Sequence, residues 1–129
     1  NSADQKMPED QYKQDEGVFS KAVEQLSQYF EGKRTEFNLS ISLKGTAFQK
    51  QVWQELRNIP YGKTAAYGEI AERINNPKAS RAVGLANNKN PLPIIIPCHR
   101  IIGKDGSLTG FGGGLELKKQ LLDLEGFSD

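Results

Sequence analysis

The spacing of hydrophobic positions along the chain predicts a mainly helical protein. In five segments apolar residues recur at steps of three and four, the repeat of one face of an α-helix. The predicted helices span residues 17–31, 46–59, 66–74, 81–88 and 115–124. In the last of these the predicted buried residues are Leu117, Leu121, Leu122 and Leu124.

Residues at the helix ends support this assignment. Thr46 and Gln49 have the spacing of a capping box, and Ser80 is a predicted cap for the fourth helix. Gly32 and Gly126 are predicted stops, because glycine adopts the left-handed conformation that commonly ends a helix.

Two segments predict extended backbone instead. Between Phe37 and Leu43 apolar and polar residues alternate, which indicates a strand or an extended linker. The run from Pro93 to Pro97 is apolar and proline-bounded, which predicts a short buried strand that leads directly to Cys98.

Charge is concentrated in the middle of the chain. The overall net charge is +1, but residues 45–104 carry nine Lys/Arg and three Asp/Glu, a net charge of +6. Such a block is typical of a polyanion-binding surface, although a random local imbalance has the same signature. Within it, residues 66–88 have the proportions of a helix-turn-helix, which a generic helical hairpin would share.

Composition limits the possible classes. With 36% hydrophobic and 26% charged residues, the 129-residue chain is expected to fold as a soluble protein with one core. A single cysteine and a single histidine exclude an internal disulfide and a Cys/His zinc site. The polar N-terminus lacks the features of a signal peptide, and no apolar run is long enough to span a bilayer.

The single cysteine and the single histidine are adjacent, as Cys98 and His99. A lone cysteine is usually a small buried hydrophobic residue, so this reading stays open at this stage. As a nucleophile Cys98 would need help to form a thiolate, and His99 and Arg100 are the nearest candidates. We expect His99 to act through a turn or a bridging water, with Glu125 as a candidate acid to orient it.

The glycine-rich run at residues 110–114 has two interpretations. It is either a flexible surface loop or a close-fitting wall where backbone N–H groups reach a ligand. It is not a phosphate-binding loop, because the Gly-Lys-Ser/Thr ending is absent.

Four ordered motifs over residues 45–127 resemble the catalytic domain of the O6-alkylguanine-DNA alkyltransferases. The helix at 17–31 resembles the segment that precedes that domain. The motifs are Thr46-x-Phe48-Gln49-x-x-Val52-Trp53 followed by Pro60-x-Gly62-x-x-x-x-Tyr67-Gly68-x-Ile70-Ala71, then Arg81-Ala82-Val83-Gly84-x-Ala86-x-x-x-Asn90-Pro91, then Pro97-Cys98-His99-Arg100-Ile101-Ile102-Gly103, and finally Thr109-Gly110-Phe111-Gly112-Gly113-Gly114-Leu115 with Lys118, Leu121, Leu122, Glu125 and Gly126.

The resemblance implies a fold and a reaction. The implied fold is mainly α, a winged-helix-like helix-turn-helix catalytic domain with short strands. In the family, a cysteine takes the alkyl group from guanine O6 once and irreversibly. Carried over, Cys98 is the acceptor, His99 its water-bridged base and Glu125 the residue that orients His99. Asn90 would fix the turn beside the site, and Tyr67 would donate a hydrogen bond to the guanine ring.

The resemblance also implies double-stranded DNA with O6-alkylguanine as the partner, bound through its minor groove. The target base would be flipped out and Arg81 would fill its place. The residues expected to contact DNA are Arg81, Ala82, Gly84, Ala86, Thr46 and Tyr67. Close helix packing is the alternative explanation for the small residues of this helix.

The implied base pocket is lined by Pro93, Ile101, Phe111 and Gly112. Phe111 departs from the family pattern, because many members have tyrosine there. Stacking should survive this change, while a phenolic hydrogen bond would be lost.

Residues 1–44 are expected to form an N-terminal remnant of a reduced domain, and residues 45–129 the alkyltransferase domain. The absence of a usual partner surface would affect stability rather than chemistry. The chain is expected to be a monomer without cofactor or metal, located where DNA is: the cytoplasm of a prokaryote or the nucleus of a eukaryote.

Three other functions are considered. An alkyltransferase-like protein binds alkylated DNA without chemistry, but such proteins carry Trp or Ala where this chain has Cys98. A helix-turn-helix regulator would bind a specific operator. A Cys-His hydrolase is disfavoured, because no oxyanion-hole motif is apparent.

Overall fold

The computed structural model describes residues 16–40, 42–103 and 114–126. Within them the fold is mainly helical, as predicted. These described ranges contain five α-helices: α1 (Glu16–Phe30), α2 (Ala47–Arg57), α3 (Tyr67–Arg73), α4 (Ser80–Asn88) and α5 (Leu115–Leu124). They are joined by a 3₁₀-helix (Cys98–Arg100) and two short strands, β1 (Ala65–Ala66) and β2 (Ile101–Ile102). None of the helices in these three ranges is long and apolar enough to cross a membrane.

The helix α2 is the centre of the core. Thr46 and Gln49 form the predicted capping box at its N-terminus, with both hydrogen bonds at 3.0 Å. Its buried face packs against α3 and α4, and the indole N–H of Trp53 donates to the carbonyl of Ala86 at 2.9 Å. Gly45 lies so close to the Trp53 ring that a Cβ there would be 2.8 Å from it. The packing and the hydrogen bond of Trp53 hold α4 against α2.

The helices α3 and α4 form the predicted helix-turn-helix. Asn75 ends α3 in the left-handed conformation with φ of 62°, and Asn76 donates back to Ala71 at 2.9 Å. This Schellman arrangement turns the chain sharply towards α4. The prediction that Ser80 caps α4 is wrong, because Ser80 is the first residue of the helix and the cap position is Ala79, which makes no side-chain bond.

The two strands pair in parallel, with Ala65 opposite Ile101 and Ala66 opposite Ile102. The carboxyl ends of parallel strands share one edge of the sheet. Tyr67, which follows β1, therefore lies at the same edge as Gly103, which follows β2. This short sheet connects the start of α3 to the segment that contains the cysteine.

For the part of the segment between Phe37 and Leu43 that the structure describes, the extended-linker interpretation is confirmed and the strand alternative is not. Residues 37–40, 42 and 43 belong to neither a helix nor a strand, and Ile41 lies outside the described residues. Leu39 is buried, and Phe37 and Leu43 pack against the core. The alternation of apolar and polar residues is therefore that of a linker with one buried side and not that of a strand.

The last helix departs most from its predicted burial. Leu121 and Leu122 are buried as expected, but Leu117 and Leu124 are 39% and 37% exposed. Lys118 and Glu125 occupy the buried positions instead, with exposed fractions of 0% and 5%. The inner face of α5 and its C-terminus thus carry two charged groups, which lie next to the 3₁₀-helix.

Candidate active site

The segment before Cys98 is a tight turn rather than the predicted strand. Ile96 N–H donates to Leu92 at 2.8 Å, and Ile94 has a φ of 78°. A β-branched residue in the left-handed region is strained, so the surrounding structure must enforce it. Asn90 does so, because its side chain donates to the Ile96 carbonyl at 2.7 Å and accepts from Leu92 N–H at 2.8 Å.

Pro97 completes the local geometry. Its φ of −78° and ψ of 68° form an inverse γ-turn, closed by the Cys98 N–H on the Ile96 carbonyl at 2.7 Å. The 3₁₀-helix Cys98–Arg100 begins directly after it. Cys98 therefore sits on a rigid backbone corner, and the residues that follow it turn rather than extend.

His99 is directed away to the end of α5. Its Nε2 lies 2.6 Å from Glu125 Oε2, and both side chains are fully buried. Glu125 is held there because it is the C-cap of α5 and is followed by Gly126 in the left-handed conformation, with φ of 85°. The structure brings together the histidine and the carboxylate that the sequence paired.

Glu125 is the centre of a dense hydrogen-bond cluster. Oε2 also accepts from Tyr29 Oη at 2.6 Å and from Arg100 Nη2 at 2.9 Å, while Oε1 accepts from Arg100 Nε at 2.8 Å and from Gly62 N–H at 3.1 Å. Burial alone would raise the pKa of this carboxyl group, but the bonds from His99, Arg100 and Tyr29 lower it to about 2. Glu125 is therefore a carboxylate at all ordinary pH values.

The negative charge of Glu125 determines which ring nitrogen of His99 carries the proton. A carboxylate can only accept, so Nε2 carries the proton and Nδ1 is the acceptor of the ring. Burial lowers the pKa of His99 below its usual value, against the raising effect of Glu125. Nδ1 has no hydrogen-bond partner among the residues the structure describes. The imidazole is thus neutral, with a buried nitrogen available to take a proton.

Cys98 is buried, with 5% of its surface exposed. Burial raises the pKa of its thiol to about 11, against the lowering effects of a hydrogen bond from Asn90 and of the charge on Lys118. The thiol form therefore dominates near neutral pH, and a nucleophilic reaction requires a base that removes its proton.

Lys118 is the cation that acts on Cys98, where the sequence suggested Arg100. The Arg100 guanidinium is committed to Glu125 and to the Ile59 carbonyl, which Nη1 reaches at 2.7 Å. Burial lowers the pKa of Lys118 to about 8, while the nearby Cys98 thiolate would raise it. Sequence reasoning matched Lys118 to the motif but gave it no role, because a lysine in an amphipathic helix normally lies on the exposed face.

Tyr67 begins α3 and packs partly buried against the core. Gly84 of α4 faces its ring, and a Cβ on Gly84 would lie 3.5 Å from the ring edge. A methyl group at position 84 would therefore make ordinary van der Waals contact with Tyr67, so this contact does not itself require glycine in α4. Arg81 is exposed on α4, and Leu85, one turn further along the helix, is 64% exposed. The side of α4 that carries these two residues is therefore accessible to solvent.

Three other predicted DNA contacts differ in their surroundings. Ala86 is 3% exposed and belongs to the hydrophobic core, so its small side chain packs inside the protein. Ala82 is half-buried on α4. Thr46 is exposed, but its hydroxyl already accepts the Gln49 N–H of the capping box.

The predicted pocket residues are only partly brought together. Pro93 is exposed on the turn, and Ile101 is fully buried in β2. Phe111 and Gly112, with the rest of the glycine-rich run before Gly114, lie outside the described residues. No group of three His, Cys, Asp or Glu side chains suited to a metal occurs in the ranges that the structure covers.

Comparison with known proteins gives two family matches. Residues 47–127 match the family described as 6-O-methylguanine DNA methyltransferase, DNA binding domain. Residues 2–43 match 6-O-methylguanine DNA methyltransferase, ribonuclease-like domain. Together the two regions include most of the chain.

Curated relatives agree with these matches. The methylated-DNA–protein-cysteine methyltransferase of Mycobacterium tuberculosis is 58% identical over 111 residues, which cover 86% of this chain and 67% of the relative. That of Methanosarcina acetivorans is 55% identical over 117 residues, which cover 91% of this chain and 75% of the relative. The chain thus spans about two thirds to three quarters of the length of these relatives.

Solved structures have the same fold. The crystal structure of M. tuberculosis OGT in complex with DNA matches with a TM-score of 0.81 and 58% identity, over 84% of this chain and 68% of that one. S. pombe Atl1 in complex with damaged DNA containing O6-carboxymethylguanine matches with a TM-score of 0.58 and 31% identity, over 65% of this chain and 80% of that one. With the Cys98, His99 and Glu125 arrangement on the same helix-turn-helix scaffold, the chain belongs to the 6-O-methylguanine DNA methyltransferase family.

Proposed function

We propose that this chain repairs DNA by moving an alkyl group, such as methyl, from O6 of guanine to the sulfur of Cys98. The observation that carries the proposal is the buried Cys98–His99–Glu125 arrangement, in which His99 Nε2 is held at 2.6 Å from the carboxylate. It leaves Nδ1 of His99, which has no hydrogen-bond partner among the described residues, one residue away from the Cys98 thiol. The partner is DNA, so the reaction takes place where the genome is kept.

The proposed reaction is a single displacement. His99 accepts the thiol proton at Nδ1 through a bridging water, and the Cys98 sulfur attacks the alkyl carbon. The bond between that carbon and O6 breaks, its electron pair moves into the guanine ring, and the ring takes up a proton, so that guanine is restored. The product is a thioether, which has no easy leaving group, so each molecule reacts once.

The charges around the thiol favour this step. Glu125 stabilises the imidazolium that forms when His99 takes the proton, and Lys118 lowers the pKa of the Cys98 thiol. The Tyr67 hydroxyl would donate to the guanine ring as negative charge develops there. Asn90 fixes the turn that holds the cysteine and donates a hydrogen bond to it.

The DNA-binding role falls to α4. The target base lies inside the duplex, so it must be flipped out before sulfur can reach its substituent. Arg81 would fill the vacated stack, and its exposure at the start of α4, beside half-buried Ala82 and Gly84, supports this role. Side chains this small fit the narrow minor groove. The proposal also divides the chain into an N-terminal region (1–44) and a catalytic domain (45–129). The protein would act as a monomer.

A binding-only function is the second candidate, because the fold also matches Atl1 of S. pombe. The two functions differ in the mass of the protein after exposure to substrate. Incubation with a duplex that contains one O6-methylguanine should add a single methyl group, about 14 Da, to Cys98. Intact-mass and peptide mass spectrometry would measure this directly. An unchanged mass at saturating duplex would favour the binding-only function over methyl transfer.

Arg81→Ala tests the role of α4. Because flipping a base costs a few kcal/mol, we expect the rate with duplex O6-methylguanine to fall by about tenfold or more, while free O6-benzylguanine reacts at the wild-type rate. Single-turnover rates measured with both substrates provide the comparison. Arg73→Ala removes the same charge from the exposed end of α3 and should affect neither rate. Equal losses on both substrates would contradict the proposed role of Arg81.

A further inference from the structure

The N-terminal helix α1 reaches the buried carboxylate of the site. Tyr29 is fully buried, and its hydroxyl donates to Glu125 Oε2 at 2.6 Å across a separation of 96 residues. Its ring packs against Phe30, Phe37 and Tyr61 at centroid distances of 5.3–6.1 Å. Sequence reasoning gave this helix no part in the chemistry.

Glu125 receives more donors than it has favourable positions to accept. Two carboxylate oxygens offer about four lone-pair directions, whereas five N–H or O–H groups converge here. Three of the five meet at Oε2, from Tyr29, His99 and Arg100. The Tyr29 hydroxyl therefore competes with His99 for the same oxygen.

This competition has a chemical consequence. When His99 takes a proton, the imidazolium is stabilised by the negative charge that remains on Oε2. A hydrogen bond from Tyr29 withdraws part of that charge, and so weakens the support that Glu125 gives to His99. The other charged or titratable groups around the pair are Cys98, Arg100, Lys118 and Tyr61. Among these groups only Arg100 also donates to the carboxylate.

We propose that Tyr29 is a positioning residue of the transfer reaction, which acts through Glu125 and makes α1 part of the active site. By sharing Oε2 with His99, Tyr29 limits how readily the Cys98 proton is removed. This inference rests on the proposed function for its biological meaning: a thiol that can react only once is kept less reactive towards electrophiles other than the bound base. The contact itself exists whatever the substrate is.

Tyr29→Phe tests the proposal. The variant keeps the packed ring and removes one donor from a carboxylate that has four others, so no buried polar group loses its partner. Losing one hydrogen bond to the carboxylate raises the pKa of His99 and favours transfer of the Cys98 proton to it, so we expect the plateau rate of Cys98 alkylation, at pH values where His99 is neutral, to rise by about tenfold. The midpoint of the acid limb should move to higher pH by about one unit, because His99 must be neutral to accept the proton.

Two electrophiles separate this inference from the proposed function. The rate of alkylation by iodoacetamide measures the reactivity of the single cysteine thiolate without any DNA. The rate with duplex O6-methylguanine measures the transfer reaction. If the wild-type protein does not react with the duplex, the proposed function fails while the iodoacetamide profile still tests Tyr29. If the plateau rate of Tyr29→Phe is unchanged or lower than that of the wild type, the inference is wrong and the bond is only structural.

A matched control and a second measurement complete the design. Tyr61→Phe removes a hydroxyl that donates to the Leu124 backbone at 3.2 Å and not to Glu125, so its profile should match the wild type. His99 is the only histidine, so its ring signals in NMR are unambiguous. Its pKa should rise in Tyr29→Phe and stay unchanged in Tyr61→Phe. An unchanged pKa in Tyr29→Phe would overturn the inference independently of any rate.

Discussion

Cys98→Ser is expected to abolish methyl transfer while binding to duplex O6-methylguanine persists. A serine hydroxyl is far less acidic than a thiol, and at a position where burial already raises the pKa of the thiol to about 11 it cannot supply an anion. We expect the transfer rate to fall by more than about 10³-fold. Rapid-quench transfer assays measure the rate, and fluorescence anisotropy with labelled duplex measures binding.

The paired readout makes the result specific. Cys98 lies on the inverse γ-turn rather than on α4, so its replacement leaves the DNA-facing helix intact. Retained transfer would refute Cys98 as the acceptor. Loss of binding together with transfer would point to a disturbed fold instead, which thermal melting of the variant would reveal.

Glu125→Gln is expected to be the most destabilising single change in the site. The amide presents two N–H donors where only acceptors are needed, and it leaves Arg100 buried without its carboxylate. Breaking a buried pair from one side costs about 3–5 kcal/mol. For a domain of this size that corresponds to a melting temperature lower by about 10–15 °C. Calorimetry or circular dichroism would measure it.

The pH dependence of stability should identify the same group. The pKa of Glu125 is lowered from 4.5 to about 2 in the folded chain, so its contribution is fully present above pH 4.5 and is lost as the pH falls towards 2. The difference equals about 3 kcal/mol. Wild-type stability should therefore fall more steeply than that of Glu125→Gln over this window, and the two curves should converge near pH 2.

Glu116→Gln is the matched control for this prediction. Glu116 lies exposed in the first turn of the same helix, so its replacement changes the net charge equally and leaves the buried cluster intact. We expect a melting temperature close to that of the wild type. If Glu125→Gln were equally mild, the cluster would contribute little to the fold.

The local rules of helix formation were sufficient for much of the scaffold. The capping box at Thr46 and the glycine that follows Glu125 depend on a few neighbouring residues, so the sequence alone predicts them. The turn before Cys98 was predicted wrongly as a strand for the opposite reason. Its shape depends on the Asn90 side chain, which bonds to backbone groups on both sides of the apolar run. The spacing of apolar residues along the chain carries no information about such a side-chain contact.

The inner face of α5 shows why the site was harder to predict than the scaffold. Lys118, Leu121, Leu122 and Glu125 are spaced by three and four residues and are the buried face, yet two of the four are charged. Apolar periodicity favours Leu117 and Leu124 instead, because it assumes that charge lies in water. The assumption fails where function requires a buried charge. The Tyr29 contact, between distant segments, leaves no local signal at all.

The bond between Tyr29 and Glu125 also has a consequence for synthesis of the protein. The two residues are 96 positions apart, so a ribosome makes α1 long before the carboxylate that its tyrosine contacts. Until Glu125 emerges from the exit tunnel, His99 and Arg100 lack the carboxylate to which both of them bond. Contacts of such long separation form late in folding. A nascent chain therefore completes the hydrogen-bond cluster around Glu125 only after translation has passed α5.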